Sequence, residues 1–271
     1  MLKRTYLLCF IVSLTLSSLT ISACSNLPTT GETPEIGSIR ILHLSANAGT
    51  VDLLLDNRVV GDTVFAFLNR SIPGTVPRFT GPPVSYLANT GYIGVDAGNR
   101  NLKVFAAPGG VAARPPLASP DPRVVAQVDV NVAARRAYTI FISDTVGTPG
   151  GIQPKVVEDD VPSFPDLTVF RGSARFGHFS PNAPAVRVLI TRTSSPGITN
   201  QELFGETRYK DVRDFTPIDT GTYRVDIVAG GATVTSATLT VAPRRVYTIL
   251  ARGLVNASGA AALGVTSYLN N

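Results

Sequence analysis

Two stretches of the chain decide its fold: "IRILHLSANAGTVDLLL" (Ile39–Leu55) and "ARFGHFSPNAPAVRVLI" (Ala174–Ile190). Each is rich in apolar and β-branched residues, reaches His-x-Ser, passes through a short turn sequence and continues in a second apolar run. The two histidines of the chain, His43 and His178, occupy the same point of the two copies. A strand, a turn and a second strand that occur twice predict a duplicated β structure.

Further landmarks recur in the same order in both halves. Tyr86, Tyr92, Asp96 and Gly98 match Tyr209, Phe215, Asp219 and Gly221, and "VAARRAYTIFI" (Val132–Ile142) matches "VAPRRVYTILA" (Val241–Ala251). The first copy is longer because of two Pro- and Gly-rich inserts, near Asn69–Pro83 and Ala107–Pro122. Added length of this composition is tolerated in surface loops, so we expect two domains of one fold, the first with longer loops.

The runs between the turns are short, and no segment shows a sustained amphipathic helical period. "AQVDVNV" (Ala126–Val132) alternates as a half-buried strand does. The sequence therefore predicts an all-β chain of two tandem antiparallel β-sandwich domains of immunoglobulin-like type. The predicted boundaries are 38–147 for the first domain, 148–170 for a linker and 171–271 for the second domain.

An acidic stretch, Val157–Val161, falls within the predicted linker. Calcium-binding loops place their oxygen ligands at alternate positions around a glycine, and Glu158, Asp159 and Asp160 do not have that spacing. We expect this stretch to be a solvated part of the linker.

The N-terminus carries a targeting pattern. Lys3 and Arg4 precede an uncharged apolar run that ends in "ISAC" (Ile21–Cys24), which resembles the lipobox of bacterial lipoproteins. The resemblance implies a signal peptide at 1–23, cleavage before Cys24, acylation of that cysteine (palmitate among the acyl chains) and a lipidated tether at 24–37. A plain secretory signal and an uncleaved anchor are the alternatives.

Lipidation implies a place and a partner for the protein. By the sorting pattern of such lipoproteins, Ser25 rather than aspartate after the cysteine implies the outer membrane of a Gram-negative cell envelope. Acyl chains hold a protein to the membrane firmly when more than one is present. The membrane, bound through Cys24, is therefore the first expected partner.

The charge of the chain excludes one class of function. The net charge is +5, and removal of Lys3 and Arg4 from the 24 basic residues leaves +3 against 19 acidic ones. The basic residues are spread along the chain without the clusters that nucleic-acid binding requires. We expect no nucleic-acid partner.

The repeated His-x-Ser motif does not have the geometry of a catalytic or metal site. Residues two apart on a strand lie about 7 Å apart on one face, too far for the hydrogen bond between a nucleophile and its base. One histidine per domain, with Cys24 acylated, provides too few zinc ligands. Asp52, a candidate partner for His43, is replaced by Arg187 in the second copy. We therefore expect no catalytic residue, metal ligand or cofactor, and no small-molecule substrate is evident.

The same residues have a structural interpretation. A strand that ends in His-x-Ser before a turn must stop pairing, and a buried imidazole can bridge two backbone groups there. We assign this role to His43, Ser45, His178 and Ser180. Tyr138 and Tyr247 are expected to be core aromatic residues whose hydroxyl groups reach a backbone carbonyl, as in a tyrosine corner.

Taken together, these positions resemble the domain of unknown function 4397. The second copy carries the pattern in Arg175, His178, Ser180, Pro181, Ala183, Pro184, Val186, Gly221-Thr222-Tyr223 and Tyr247-Thr248. The first copy keeps Arg40, His43, Ser45, Ala48 and Val51-Asp52, but Ala46 and Gly49 replace the prolines. The resemblance implies a β-rich module of exported or lipid-anchored bacterial proteins, often in tandem, and brings no established activity.

The sequence thus favours a non-enzymatic lipoprotein of the cell envelope that interacts through its loops with an envelope protein or a glycan. The two long loops, Asn69–Pro83 and Ala107–Pro122, are the candidate binding segments. A small-ligand-binding or hydrolytic protein with a pocket around His43 or His178 is the alternative. A purely structural spacer is a third hypothesis.

Overall fold

The structure is a computed structural model that describes residues 35–56, 58–60, 83–107, 121–147, 149–164, 170–194 and 197–270. Residues from Glu35 onward form one compact unit. The predicted signal peptide (1–23), Cys24 and the tether up to residue 34 lie outside the described residues, as do most of the two long loops, Asn69–Pro83 and Ala107–Pro122. Within the described ranges, no helix is long and apolar enough to cross a membrane.

β-Strand is the main secondary structure of the described residues. The first half contains β1 (Ile36–His43), β2 (Val51–Leu55), β3 (Arg58–Val59), β4 (Asn89–Asp96), β5 (Gly98–Ala106), β6 (Val124–Val132), β7 (Ala137–Ile142) and β8 (Lys155–Glu158). The second half contains β9 (Arg171–Phe179), β10 (Val186–Arg192), β11 (Gln201–Thr207), β12 (Thr216–Asp219), β13 (Gly221–Ala229), β14 (Ala232–Val241), β15 (Val246–Arg252) and β16 (Gly264–Leu269). A 3-10 turn, Gly259–Ala261, precedes β16.

The strands form four sheets of four strands each. In the first half, sheet A has the order β4-β1-β7-β8 and sheet B the order β3-β2-β5-β6; in the second half, sheet C has the order β12-β9-β15-β16 and sheet D the order β11-β10-β13-β14. Sheets A and B enclose one apolar core, and sheets C and D enclose another. This confirms the predicted all-β fold with two sandwiches.

The pairs of described strands are antiparallel except for one pair in each sandwich. β1 runs parallel to β7, and β9 runs parallel to β15. Gly172 in β9 makes this arrangement close-packed, because a Cβ there would lie 2.7 Å from Cγ1 of Val241 and 2.8 Å from the carbonyl oxygen of Arg245. Gly37 in β1 is pressed in the same way against Val132. The opening strand of each sandwich is thus held against the turn before its closing strand.

A third apolar cluster joins the two sandwiches. Leu42, Leu44, Phe141, Phe179, Leu250 and Tyr268 form it, from sheets A and C. The rings of Phe141 and Phe179 stack with their centroids 4.4 Å apart. Sheets A and C are therefore covered on both faces, and the four sheets are stacked in the order B, A, C, D.

The segment 148–170, predicted as a linker, is partly built into the first sandwich. Residues 155–158 form β8, which pairs antiparallel with β7. Glu158 and Asp160 are exposed, but Asp159 between them is buried. The expectation of a solvated acidic stretch is wrong for Asp159, because that carboxylate lies between the two sandwiches and is paired there.

Candidate functional site

The two histidines lie where β1 and β9 end and the chain turns towards β2 and β10. Both side chains are fully buried. Nε2 of His43 is 2.8 Å from the carbonyl oxygen of Gly49, and Nε2 of His178 is 3.0 Å from that of Pro184. Because a carbonyl only accepts hydrogen bonds, Nε2 carries the proton in both rings. Each imidazole therefore closes the turn that follows its strand.

The second ring nitrogen shows that the two copies differ slightly. The backbone N–H of Ser180 donates to Nδ1 of His178 over 3.3 Å, whereas Nδ1 of His43 has no partner among the described residues. Within the same residues, Oγ of Ser45 and Oγ of Ser180 also accept and donate no hydrogen bond. Neither His–Ser pair has the side-chain hydrogen bond that would activate a nucleophile.

Burial sets the protonation state of these rings. Desolvation lowers the pKa of His43 and of His178 below the ordinary 6.5, and the bonds to the backbone carbonyls only partly oppose it. Both imidazoles are therefore neutral at pH 7. A neutral, fully buried ring with its N–H bonded to the backbone stabilises a turn and is closed to substrate.

Tyr138 and Tyr247 stabilise a turn at the end of each sandwich that lies away from the histidine. The hydroxyl oxygen of Tyr138 accepts the N–H of Ala133 over 3.2 Å, and that of Tyr247 accepts the N–H of Ala242 over 3.1 Å. The expectation that they reach a carbonyl is wrong, because the free group at this turn is an N–H. The bond expected of a tyrosine corner is made by Tyr223, whose hydroxyl donates to the carbonyl of Asp219 over 3.0 Å.

Six polar side chains meet between sheets A and C, and we call them the central polar cluster. They are Arg40, Thr139, Asp159, Arg175, Thr248 and Asn270. All six are buried, although two are arginines. Buried charges need partners, so the arrangement of the hydrogen bonds decides what the cluster does.

Asp159 is the acceptor at the centre of the cluster. Its Oδ1 lies 2.5 Å from Nη2 of Arg175, an ion pair in which both side chains are almost fully shielded from solvent. Its Oδ2 accepts the hydroxyl of Thr139 at 2.5 Å and that of Tyr92 at 2.7 Å. The carboxylate thereby joins residues of sheet A to an arginine of sheet C.

Arg40 crosses the interface in the opposite direction. Its Nε and Nη2 donate to Oγ1 of Thr139 over 3.2 and 3.0 Å, and its Nη1 donates over 3.2 Å to the carbonyl of Leu269 at the end of β16. The guanidinium also lies over the ring of Tyr92, 4.8 Å from its centroid. Desolvation lowers the pKa of Arg40 from its ordinary value and raises that of Tyr92 to about 12.

The cluster has an approximate two-fold symmetry that follows the duplication. Nε of Arg175 donates to Thr248 over 3.0 Å as Nε of Arg40 donates to Thr139, and Arg175 lies over the ring of Phe215 as Arg40 lies over Tyr92. Asp159 follows β8, and the residue at the corresponding place after β16 is Asn270. Its amide oxygen accepts the hydroxyl of Thr248 over 2.8 Å.

A second set of contacts joins the sandwiches near His178. The ring of Tyr209 stands edge-on to His178 with the centroids 6.2 Å apart, and its hydroxyl donates to Asp144 over 2.5 Å. Nζ of Lys210 lies 2.7 Å from the same carboxylate. Burial alone would raise the pKa of Asp144, but the bonds from Lys210 and Tyr209 outweigh it and the pKa is lowered.

An open, shallow cavity among the described residues contains neither histidine. That cavity, of about 340 Å³, is lined by Lys155, Val156, Val157, Asp211, Val212 and Arg213. It lies where β8 approaches the segment before β12. Among the described residues, no group of three or more His, Cys, Asp or Glu side chains is arranged to hold a metal ion.

The sequence identifies the repeated motif, but it does not predict that the arginines of the motif and the threonines after the paired tyrosines meet between the two sandwiches. Arg40 and Arg175 open the "R-x-x-H" pattern, and Thr139 and Thr248 follow the paired tyrosines. The available signal was an arginine in the middle of an apolar strand at the same place in both copies. A strand of that kind is buried on both faces, and its charge has to be paired inside the protein.

The structure therefore defines a duplicated β-sandwich module in which the repeated motif closes turns and joins the two copies. The family model for the domain of unknown function DUF4397 matches residues 37–189 and again 172–269, and the chain belongs to this family. The two matches confirm the tandem arrangement predicted from the repeat. A search of curated proteins gives no match.

Solved structures resemble the chain only distantly. A leucine-rich repeat protein from Bacteroides thetaiotaomicron is 12% identical with a TM-score of 0.19, over 85% of this chain and 27% of that one. The Bacillus anthracis TIE protein is 11% identical with a TM-score of 0.21, over 81% of this chain and 33% of its own. A candidate cell adhesion protein from Bacteroides ovatus is 7% identical with a TM-score of 0.23, over 87% and 96%. The chain spans a third or less of the first two proteins, and similarity at this level carries no argument about function.

Proposed function

We propose that the protein is a non-enzymatic module of the cell envelope, anchored by acyl chains on Cys24. Its two sandwiches form a rigid scaffold whose loops bind an envelope protein or a glycan. Lipid anchoring is the interpretation that the "ISAC" sequence (Ile21–Cys24) favours, with Ser25 directing the protein to an outer membrane.

The non-enzymatic role is supported by the positions of the side chains of the repeated motif, which face the interior of the protein. The side chains of His43, His178, Ser45 and Ser180 have no solvent-exposed area. Their hydrogen-bonding groups face turns, and the arginines of the motif face the other sandwich. The histidines, serines and arginines of the motif thus stabilise the fold.

A rigid scaffold is supported by the contact between the sandwiches. A flexible pair of domains is joined by a solvated linker and a small polar interface. Here Phe141 stacks on Phe179, and the Asp159–Arg175 ion pair is shielded beside them. Binding loops on such a scaffold keep their spacing, which lowers the entropic cost of recognition.

The alternative of a ligand-binding or hydrolytic protein needs an imidazole that a substrate can reach. Both imidazoles are sealed, and the cavity of about 340 Å³ near Val212 contains neither. Its lining includes Lys155, Asp211 and Arg213 beside three valines, and no histidine, serine or cysteine. We therefore keep the scaffold as the proposal.

Anchoring is tested by Cys24→Ser in a bacterial host fed a labelled fatty acid. We expect the wild type to be labelled and to sediment with membranes, and Cys24→Ser to be unlabelled and released. Cys9→Ser is the matched control, because Cys9 lies in the apolar run and should not affect labelling. An unlabelled, soluble wild type would contradict the proposal.

Loop-mediated binding is tested with the soluble chain that begins at Ser25. Sedimentation with purified envelope fractions and with isolated glycans measures its affinity. We expect shortening of both long loops, Asn69–Pro83 and Ala107–Pro122, to abolish binding, and shortening of 193–199 in the second sandwich to leave it intact. Equal binding by both shortened forms would sink the loop assignment and favour a spacer.

A further inference from the structure

β14 is the longest strand of the described chain, with ten residues from Ala232 to Val241, and it lies at the edge of sheet D. Its ladder partner is β13. Among the backbone hydrogen bonds of the described residues, none joins β14 to another strand on its outer side. An edge of this length presents a row of N–H and C=O groups that are free to pair with another strand.

The side chains of β14 do not protect this edge. Leu239 and Val241 are buried in the core, whereas Val234 on the outer face is 43% exposed and Thr238 and Thr240 are exposed beside it. The sequence from 227 to 243 contains no Lys, Arg, Asp or Glu. Exposed edges usually carry charges, prolines or bulges that prevent pairing, and they are often short. β14 has one register shift, between Thr233 and Thr235, and its pairing with β13 is regular from Thr235 to Val241.

Each of the other described edge strands is shorter than β14, and each except β16 carries a charged side chain. Charged side chains lie on β4 (Asp96), β6 (Asp129), β8 (Lys155 and Glu158) and β11 (Glu202 and Glu206). The pairing of β11 also has two register shifts, and β12 contains Pro217. β3 has only two residues, β8 and β12 have four each, and β16 has six. The comparison with β6 is the most direct, because β6 is the counterpart of β14 in the first copy. Asp129 pairs with Asn101 where Thr238 pairs with Arg224. The second copy has an uncharged threonine where the first has a carboxylate.

We propose that β14 pairs with β14 of a second copy of this chain, antiparallel and across a two-fold axis. The two D sheets would then form one continuous sheet with four strands from each copy. This surface does not depend on the loops or on Cys24, so it goes beyond the scaffold function.

Self-pairing is favoured over a foreign strand by the composition of the edge. Two identical strands that run antiparallel are self-complementary, and the closed two-fold arrangement is the commonest in homo-oligomers. Outward threonines such as Thr238 and Thr240 then face each other, and Thr–Thr pairs across strands are favourable. An edge without charge does not repel its own copy, even though the chain carries a net charge of +5. It also has no charge with which to select a charged foreign segment.

The first test is the mass of the soluble chain from Ser25 in analytical ultracentrifugation. Residues from Glu35 onward form a compact unit, so this chain is expected to fold without its anchor. We expect a reversible monomer–dimer equilibrium. A monomer at all concentrations up to about 1 mM would overturn the proposal.

The second test locates the dimer interface. Thr238→Lys places like charges at the paired edge, and we expect it to weaken the dimer about tenfold. Thr222→Lys is the matched control, because Thr222 lies opposite Thr240 on the same face but one strand inside the edge. Circular dichroism checks that both variants are folded. A dimer that Thr238→Lys leaves unchanged, or that both variants lose equally, would refute pairing through β14.

The third test uses the cysteine content of the chain, which is limited to Cys9 and Cys24. The soluble chain from Ser25 has none, so single cysteines introduced at Ser236, Thr238 and Thr240 report on their own surroundings, and the three variants are tested alone and mixed in pairs, because a residue faces its own copy only at the two-fold axis. We expect at least one of them to form a disulfide-linked dimer under mild oxidation, since facing residues of paired strands lie within disulfide distance. A dimer without a crosslink from any of these positions would count against the proposal.

Discussion

Asp159→Asn is the change that most directly tests the role of the central polar cluster. Asp159 is its carboxylate, and its side chain is fully buried between the sandwiches. Asparagine has nearly the same shape, so the substitution removes the charge with little change in packing. Arg40 and Arg175 would then share a buried site without a carboxylate among the described residues around them.

The size of the effect follows from the contacts that are lost. Oδ1 of Asp159 forms an ion pair with Arg175 at 2.5 Å, and Oδ2 accepts hydroxyl groups from Thr139 and Tyr92. An asparagine retains one acceptor oxygen and points two N–H groups towards other donors. Removal of one partner of a buried ion pair destabilises proteins by about 3–5 kcal/mol, because the remaining charge is buried without compensation. We expect a loss of about 4 kcal/mol in the free energy of unfolding.

The assay is urea-induced unfolding of the soluble chain from Ser25, followed by circular dichroism. With a slope of about 3 kcal/mol/M, the expected loss moves the midpoint down by more than about 1 M. Asp160→Asn is the matched control, since Asp160 is exposed and the change should cost less than about 0.5 kcal/mol. A loss below about 1 kcal/mol in Asp159→Asn would refute the claim that the buried Arg175 depends on this carboxylate as its partner.

Two further predictions concern the repeated motif and the close packing of the opening strands. Because burial lowers the pKa of His43 and His178 below 6.5, the unfolded chain binds protons below that pH that the native chain does not. The free energy of unfolding is therefore at its full value above about pH 6.5, and below that pH it falls by up to about 1.4 kcal/mol per pH unit for each histidine. In urea titrations between pH 8 and pH 5, His178→Gln should halve this slope, and an unchanged slope would speak against the assignment. Gly172→Ala should destabilise the second sandwich by about 1–3 kcal/mol, because its Cβ would lie 2.7 Å from Cγ1 of Val241. Gly205→Ala is the control and should be close to neutral in thermal unfolding, because the nearest atom there is 3.5 Å away on a flexible side chain. Equal effects at the two positions would contradict the packing argument.

The duplication and the β class were predictable because they depend on local signals. Branched apolar residues, turn formers and a motif that recurs in one order specify strands and their sequence without knowledge of tertiary contacts. The parallel placement of β1 beside β7 has no such signal. It depends on which strand ends are brought together by the whole chain, as the contact of Gly37 with Val132 shows.

The interface between the sandwiches was not predicted, because each strand, taken separately, has a sequence that also fits a sandwich domain that packs alone. "IRILHLS" (Ile39–Ser45) is predicted only to be a strand, without a statement of which faces are buried, and in the structure Arg40 and Leu42 are as buried as Ile39 and Ile41. The lack of alternation, with an arginine among apolar residues, was the physical sign of burial on both faces. The same reasoning applies to Asp159, whose two charged neighbours in sequence concealed its burial.

The asymmetry of the central polar cluster limits what kind of joint it is. Two copies of one domain that met through identical residues would place matching groups on both sides, but Asp159 corresponds to Asn270 and Tyr92 corresponds to Phe215. Arg175 therefore has a carboxylate, while Arg40 is held by a hydroxyl, a carbonyl and an aromatic ring. A buried ion pair adds little net stability compared with apolar packing, but it penalises every arrangement that separates the charges. The apolar cluster around Phe141 and Phe179 holds the sheets together, and the cluster around Asp159 selects one register between them.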